Sequence, residues 1–206
     1  MDSVAIIPPD GGEVIELGPA RVRILEDGGT TAHRLGIGEI TLAPHSAGPP
    51  QHRHAEHDEG FYVVSGTARF TVGHDDYDAP PGTLVMVPPG MPHTFANPGD
   101  EPLVMVNTFT PDLYVQYFRD LRDATTRDGE PTGPATARVM ARYATTPATE
   151  YDQGSAERVL QAADGEFTTV SAKSPMAARV RPSCSMCGKC PASGMGVKRP
   201  FEKDVA

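Results

Sequence analysis

No run of about 18 consecutive apolar residues occurs in the 206-residue chain, and Met1–Gly12 lacks both a basic start and an apolar stretch. A membrane-spanning helix and a secretory leader are therefore not expected, and the chain reads as soluble, intracellular and cytoplasmic. Apolar residues are scarce at 38%, whereas glycine and proline are abundant at 21 each. Neither is tolerated inside helices, so a bundle or coiled coil is excluded and a many-turned β architecture is favoured. Basic charge is short as well. The net charge of −9 makes a nucleic acid or an anionic membrane surface a poor partner.

The scarcity is uneven. Residues 1–149 carry 20 acidic and 10 basic side chains and residues 150–206 carry 7 and 8. All four lysines (Lys173, Lys189, Lys198, Lys203) and all three cysteines (Cys184, Cys187, Cys190) fall in the second part. That part has few bulky apolar residues to offset its ordering entropy, so residues 146–206 read as a largely disordered, flexible tail dispensable for the rest, with one helical turn around Ala156–Ala163. The cysteines have the spacing of a zinc or iron–sulfur site but no fourth thiol, and read as reduced thiols of the tail.

Residues 21–110 read as strands punctuated by turns. Val22 and Ile24 alternate with Arg21 and Arg23; Arg34–Leu42 alternates with a phase slip at Gly38 that predicts a bulge. Phe61–Val64 and Thr83–Val87 are apolar runs, and Ala68, Phe70 and Val72 alternate before a turn at Gly73–Asp76. His93–Asn97 and Leu103–Phe109 flank Pro98-Gly99-Asp100, a turn signal. Strands this short and close predict a sandwich or barrel. Residues 111–145 predict two short helices. The first starts at Thr110-Pro111 with Leu113, Tyr114, Tyr117, Phe118 and Leu121 on one face; the second covers Ala135–Tyr143. Residues 1–20 read as an N-terminal arm.

Six of the seven histidines lie between residues 45 and 93. His52 and His54 are two apart on a strand, so their imidazoles share a face and can chelate; Glu59 and His93 complete a set of three imidazoles and a carboxylate. Those donors suit one borderline divalent cation (Fe, Ni, Mn, Cu, Co or Zn) better than Ca or Mg. His33, His45, His57 and His74 have polar or turn-forming neighbours and read as surface or satisfied core residues.

His52-Arg53-His54, then Glu59 and Gly66, resemble the first cupin motif, with Ser46 where that motif has a glycine. Gly82, Pro88, Gly90, His93 and Asn97 resemble the second. This resemblance implies an all-β jelly-roll barrel holding the metal on those four ligands. Glu59–Gly66, Pro88–Asn97 and the helix from Thr110 further resemble the quercetin 2,3-dioxygenase-like single-domain cupins, although Leu113 and Val115 or Gln116 depart from that pattern. A metal-dependent dioxygenase is implied, acting with O2 on an enolic or phenolic, flavonol-like small molecule. A metal-dependent cyclase or isomerase and a non-enzymatic binding cupin are the alternatives. In this reading Glu59 is both ligand and proton acceptor. Strand parity puts Phe61 and Val63 on the face of Glu59, and Phe95 and Asn97 on that of His93. With Phe109 they are the candidate substrate walls, the phenylalanines serving either as wall or as plain core. Tyr62 points outward. The family also implies a homodimer.

Overall fold

The computed structural model describes residues 4–128, 133–148, 159–163 and 166–170. Two antiparallel sheets carry the fold. The first contains β1 (Glu13–Leu17), β2 (Ala20–Asp27), β3 (Gly36–Leu42), β6 (Asp58–Ser65), β9 (Leu84–Val87) and β11 (Leu103–Thr110), in the order β1-β2-β3-β11-β6-β9. The second contains β5 (His52–His54), β7 (Ala68–Val72), β8 (Asp75–Ala79), β10 (His93–Asn97) and β12 (Thr145–Pro147), in the order β12-β5-β10-β7-β8, with β4 (Ser46–Ala47) also on β10. Neighbours far apart in sequence, such as β3 beside β11 and β5 beside β10, mark the jelly roll.

Period-two alternation builds the core. Val22, Ile24, Ile40, Leu42, Phe61, Val63, Leu103, Met105 and Phe109 turn inward from the first sheet; Ala68, Phe70, Val72 and Phe95 do so from the second. The faces meet at Phe61, whose ring centroid is 5.2 Å from Phe70 and 5.4 Å from Phe95. Aromatic contacts at this spacing add to the area they bury. Helix α1 (Leu113–Asp128) lays Tyr114, Val115, Tyr117 and Phe118 on the barrel. Arg119 and Arg122 tie it to Glu13 of β1 at 2.7 and 3.0 Å. Helix α2 (Gly133–Arg142) buries Val139 and Met140.

Several sequence expectations are corrected. The barrel starts before residue 21, because Glu13–Leu17 pairs with β2, and it continues past 145, because Thr145–Pro147 pairs with His52–His54. Ala148 is buried, so a cut near Thr146 would remove a strand from the ligand-bearing edge. Gly38 marks no slip: β3 alternates throughout, and the irregularity lies on β2, between Ile24 and Glu26. The runs at 61–64 and 83–87 are alternating strands, with Tyr62, Val64, Leu84 and Met86 exposed. Helix α1 begins at Leu113, after a cis Thr110–Pro111 bond. Val159–Ala163 is not helical; as β13 it pairs with β14 (Glu166–Val170). Cys184, Cys187 and Cys190 lie outside the described residues. No helix among the described residues is long and apolar enough to cross a membrane.

Gly66 links β6 to β7 at φ +76°, and a Cβ there would stand 3.0 Å from both Leu103 Cα and Pro102 O. Gly18 has φ +61° with nothing within 4 Å. Gly66→Ala is expected to cost roughly 2–3 kcal/mol in urea unfolding, and Gly18→Ala only about 1 kcal/mol. Equal losses would show that the contact with Pro102–Leu103 does not matter.

Candidate metal centre

Strand pairing brings the four expected donors into two overlapping groups that share Glu59, one with His52 and His93 and the other with His54. His93 on β10 is the direct partner of His52 on β5, and both rings turn into the barrel, 4.5 Å apart between centroids. Glu59 arrives from the opposite sheet. Gly90 donates its N–H to His54 O at 2.7 Å and has φ +82°, so the turn before His93 is pinned to the histidine strand. His52, His54, Glu59 and His93 are all buried. Donor atoms of His52, Glu59 and His93 lie within 4.8 Å of one another; Glu59 Oε2 is 2.9 Å from His54 Nε2 and 3.2 Å from His93 Nε2.

The outer hydrogen bonds decide what the inner nitrogens offer. Nδ1 of His52 is 3.0 Å from Pro50 O, and Nδ1 of His93 is 3.0 Å from Met91 O. A carbonyl only accepts, so both Nδ1 atoms carry the hydrogen and donate, and in the neutral ring each Nε2 turns a lone pair inward. This is how metal-binding histidines are oriented. Burial, with His93 adding to it, lowers the His52 pKa to about 4, so that ring is neutral at pH 7. Burial by itself would raise the pKa of Glu59, but hydrogen bonding and charge from His54 and His93 outweigh it and hold the carboxyl well below its usual range. Imidazoles around an ionised carboxylate are a donor set for a borderline divalent cation.

His57 does not fit its expected surface or satisfied-core role. It is 1% exposed, and neither ring nitrogen has a hydrogen-bond partner among the described residues. Its ring stacks on His54 at 3.8 Å and meets Tyr114 at 4.2 Å. His54, His57 and Glu59 form a second group of donor atoms within 4.8 Å of one another. Burial, with His54 adding to it, lowers the His57 pKa to about 3. Tyr114 itself bonds Thr145 Oγ1 at 2.5 Å, linking α1 to the strand that borders the histidines. His57 sits in the β5–β6 connection, where strand parity has no meaning, and Tyr114 reads from sequence as packing. Asn107 carries no sequence signal either: from β11 it donates Nδ2–H to Glu59 Oε1 at 3.2 Å and to Gly60 O at 3.1 Å. His33, His45 and His74 are on the surface as expected, the first two beside Asp112 and Asp100 at 2.9 and 2.8 Å.

The candidate walls divide. Phe61, Val63, Phe95 and Phe109 are buried, with Phe61 6.3 Å from the His93 ring and Phe109 6.2 Å from that of His57. Asn97 is withdrawn as a substrate contact: its Nδ2 donates to Leu42 O, Ala43 O and Glu101 O, and its Oδ1 accepts from Gly99 N. Those bonds hold the β10–β11 turn and occupy the whole amide.

Residues 38–109, the segment that includes these donors, match the family model of the cupin domain, Cupin_2. The fold of that segment is the cupin fold. None of the curated proteins matches the chain. Similar solved structures include KdgF from Halomonas sp., 15% identical over 53% of this chain and 94% of that one, TM-score 0.47. Another is PAC13 of Streptomyces with uridine, at 16%, 53% and 83%, TM-score 0.44. An oxalate decarboxylase of B. subtilis is 32% identical over 48% of this chain, TM-score 0.43. The chain spans less than a third of that decarboxylase, at 28%. The barrel has metal-compatible groups of donors inside it.

The histidine shifts set a pH response. His52 and His57 bind protons in the folded state only near pH 4 and pH 3, against 6.5 ordinarily. The unfolded chain therefore holds more protons below about pH 6.5, and stability falls as pH drops toward 4. The lowered pKa of Glu59 acts in the same direction below 4.5. The urea midpoint of metal-free protein is expected to fall from pH 7 to pH 4, and His57→Phe to flatten the slope. A profile level through this window would contradict neutral burial of the imidazoles.

Proposed function

We propose that this protein is a metal-dependent cupin enzyme acting with O2 on an enolic or phenolic small molecule of flavonol-like class, with His52, His54, Glu59 and His93 as the ligands. One observation carries the reading. His93 Nε2 faces Glu59 Oε2 at 3.2 Å although the ring's hydrogen is committed at Nδ1 to Met91 O. With that ring neutral, two lone pairs face each other in a buried space, and a proton or a metal cation between them resolves the clash. When bound, a divalent transition metal (Fe, Ni, Mn, Cu, Co or Zn) supplies Lewis acidity and a coordination position for an oxygen-bearing substrate.

The chain's own residues supply orientation and proton transfer. Pro50 O and Met91 O fix the rings of His52 and His93. Glu59 is the catalytic residue, taking the substrate's hydroxyl proton beside the imidazoles. Phe61, Val63, Phe95 and Phe109 exclude water. A cyclase or isomerase is the second reading, favoured by one feature: the rings of His57 and Tyr114, 3.8 and 5.6 Å from that of His54, bring further polar side chains to the centre beyond those that oxygenation of an enol needs.

We further place the enzyme in the cytoplasm as a homodimer. Support for a dimer comes from Leu84 (60% exposed) and Met86 (55%) on β9, the edge strand, beside Tyr62 and Val64 on β6. A row of exposed apolar side chains at a sheet edge is a pairing surface.

Metal analysis of purified protein with oxygen uptake over a panel of flavonols and other enols tests the function. One transition metal per chain and O2 consumption are expected. Glu59→Gln should keep part of the metal and lose turnover by about a hundredfold or more. Turnover without O2 would select the isomerase or cyclase reading, and ligand binding with no turnover would leave a sensor. For the dimer, the Leu84→Lys, Met86→Lys double variant should sediment as a monomer; a dimer that survives it uses another face.

A further inference from the structure

We propose that Asn107 is a positioning residue that makes Glu59 a one-oxygen ligand. The inference rests on reading the centre as a metal site. Asn107 lies on β11, opposite Phe61 in register, and is fully buried. Its Nδ2 bonds both Glu59 Oε1, at 3.2 Å, and Gly60 O, at 3.1 Å. The amide orientation is enforced: turned over, its oxygen would face two acceptors. Glu59 Oε2 is left to the imidazoles, 2.9 Å from His54 Nε2 and 3.2 Å from His93 Nε2.

The two carboxylate oxygens therefore have different jobs. Oε1 is tied through Asn107 to the Gly60 peptide, and Oε2 is presented to the cation. A residue serving the core alone would not look like this. Asn107 Oδ1 is buried with no hydrogen-bond partner among the described residues, a cost that leucine, of similar size, would avoid. The residue next inward on the same strand face, Met105, is apolar and buried. Asn107 stands on the core face beside its register partner Phe61, and Glu59, which pairs with Phe109 two residues along, is its diagonal neighbour.

The test uses full-length protein loaded with Co(II), comparing Asn107→Leu and Asn107→Ala. Leucine fills the space and alanine empties it, but both remove the donor, so an effect common to both comes from the lost hydrogen bond. Both variants are expected to bind Co(II) about 10- to 100-fold more weakly. Both should also show the same weakened visible Co(II) absorption, as the freed Oε1 joins Oε2 on the metal and raises the coordination number. Unchanged affinity and spectrum alongside a lowered melting temperature would make Asn107 structural and overturn the inference while leaving the metal reading intact. A spectral change in one variant only, or failure of both to fold, would overturn it likewise. Wild-type protein that takes up no Co(II) would remove the metal reading, and this inference with it.

Discussion

A carboxylate buried between two sheets needs positive charge beside it, and the centre of this barrel is arranged around that need. Glu59 comes from the first sheet; His52, His54 and His93 come from the second. Ionised and almost without solvent, Glu59 can be held only by donors or a cation, because an unpaired charge in such surroundings costs several kcal/mol. As neutral rings the imidazoles cannot all donate to it, since His52 and His93 spend their N–H groups on Pro50 and Met91. A divalent cation would meet both demands together, pairing with the carboxylate and accepting the inward lone pairs.

The surroundings keep these groups in place. Phe61, Phe70 and Phe95 close the inner space on the His93 side. On the other side α1 brings Tyr114 against His54 and His57, and Tyr114 is bonded to the strand that flanks β5. The helix is not an appendage. Ion pairs from Arg119 and Arg122 fix it to β1, and its aromatic face is continuous with the core. The region after the barrel thus contributes to the walls of the centre, and the strand at Thr145–Pro147 covers an edge that would otherwise expose the histidine strand's backbone.

Local pattern accounted for what lies on regular strands. His52 and His54 could be paired from sequence because period two leaves no choice of face, and Phe61 and Val63 followed from Glu59 for the same reason. Other strands have no such pattern, β8 and β12 among them. β8 is acidic, Asp75-Asp76-Tyr77-Asp78-Ala79, and resembles a turn; it is an edge strand whose outward side can be polar, with Asp78 paired to Arg69 and Asp76 to Thr71. β12 is too short to show a period, and only its place beside β5 makes it a strand.

By itself the sequence determined an antiparallel β architecture, a pair of imidazoles on one strand face, and a set of nitrogen and oxygen donors suited to a transition metal. These depend on neighbours a few residues apart, where backbone geometry dictates direction. Tertiary structure alone decided that His57 leaves the surface to stack on His54, that Asn97 is consumed by a turn, that Tyr114 reaches the centre from a helix, and that Asn107 holds one oxygen of Glu59. Each is a contact made by a loop residue or by elements distant in the chain. Such contacts are set by how the two sheets and the helix close on one another, and no short-range period records that closure.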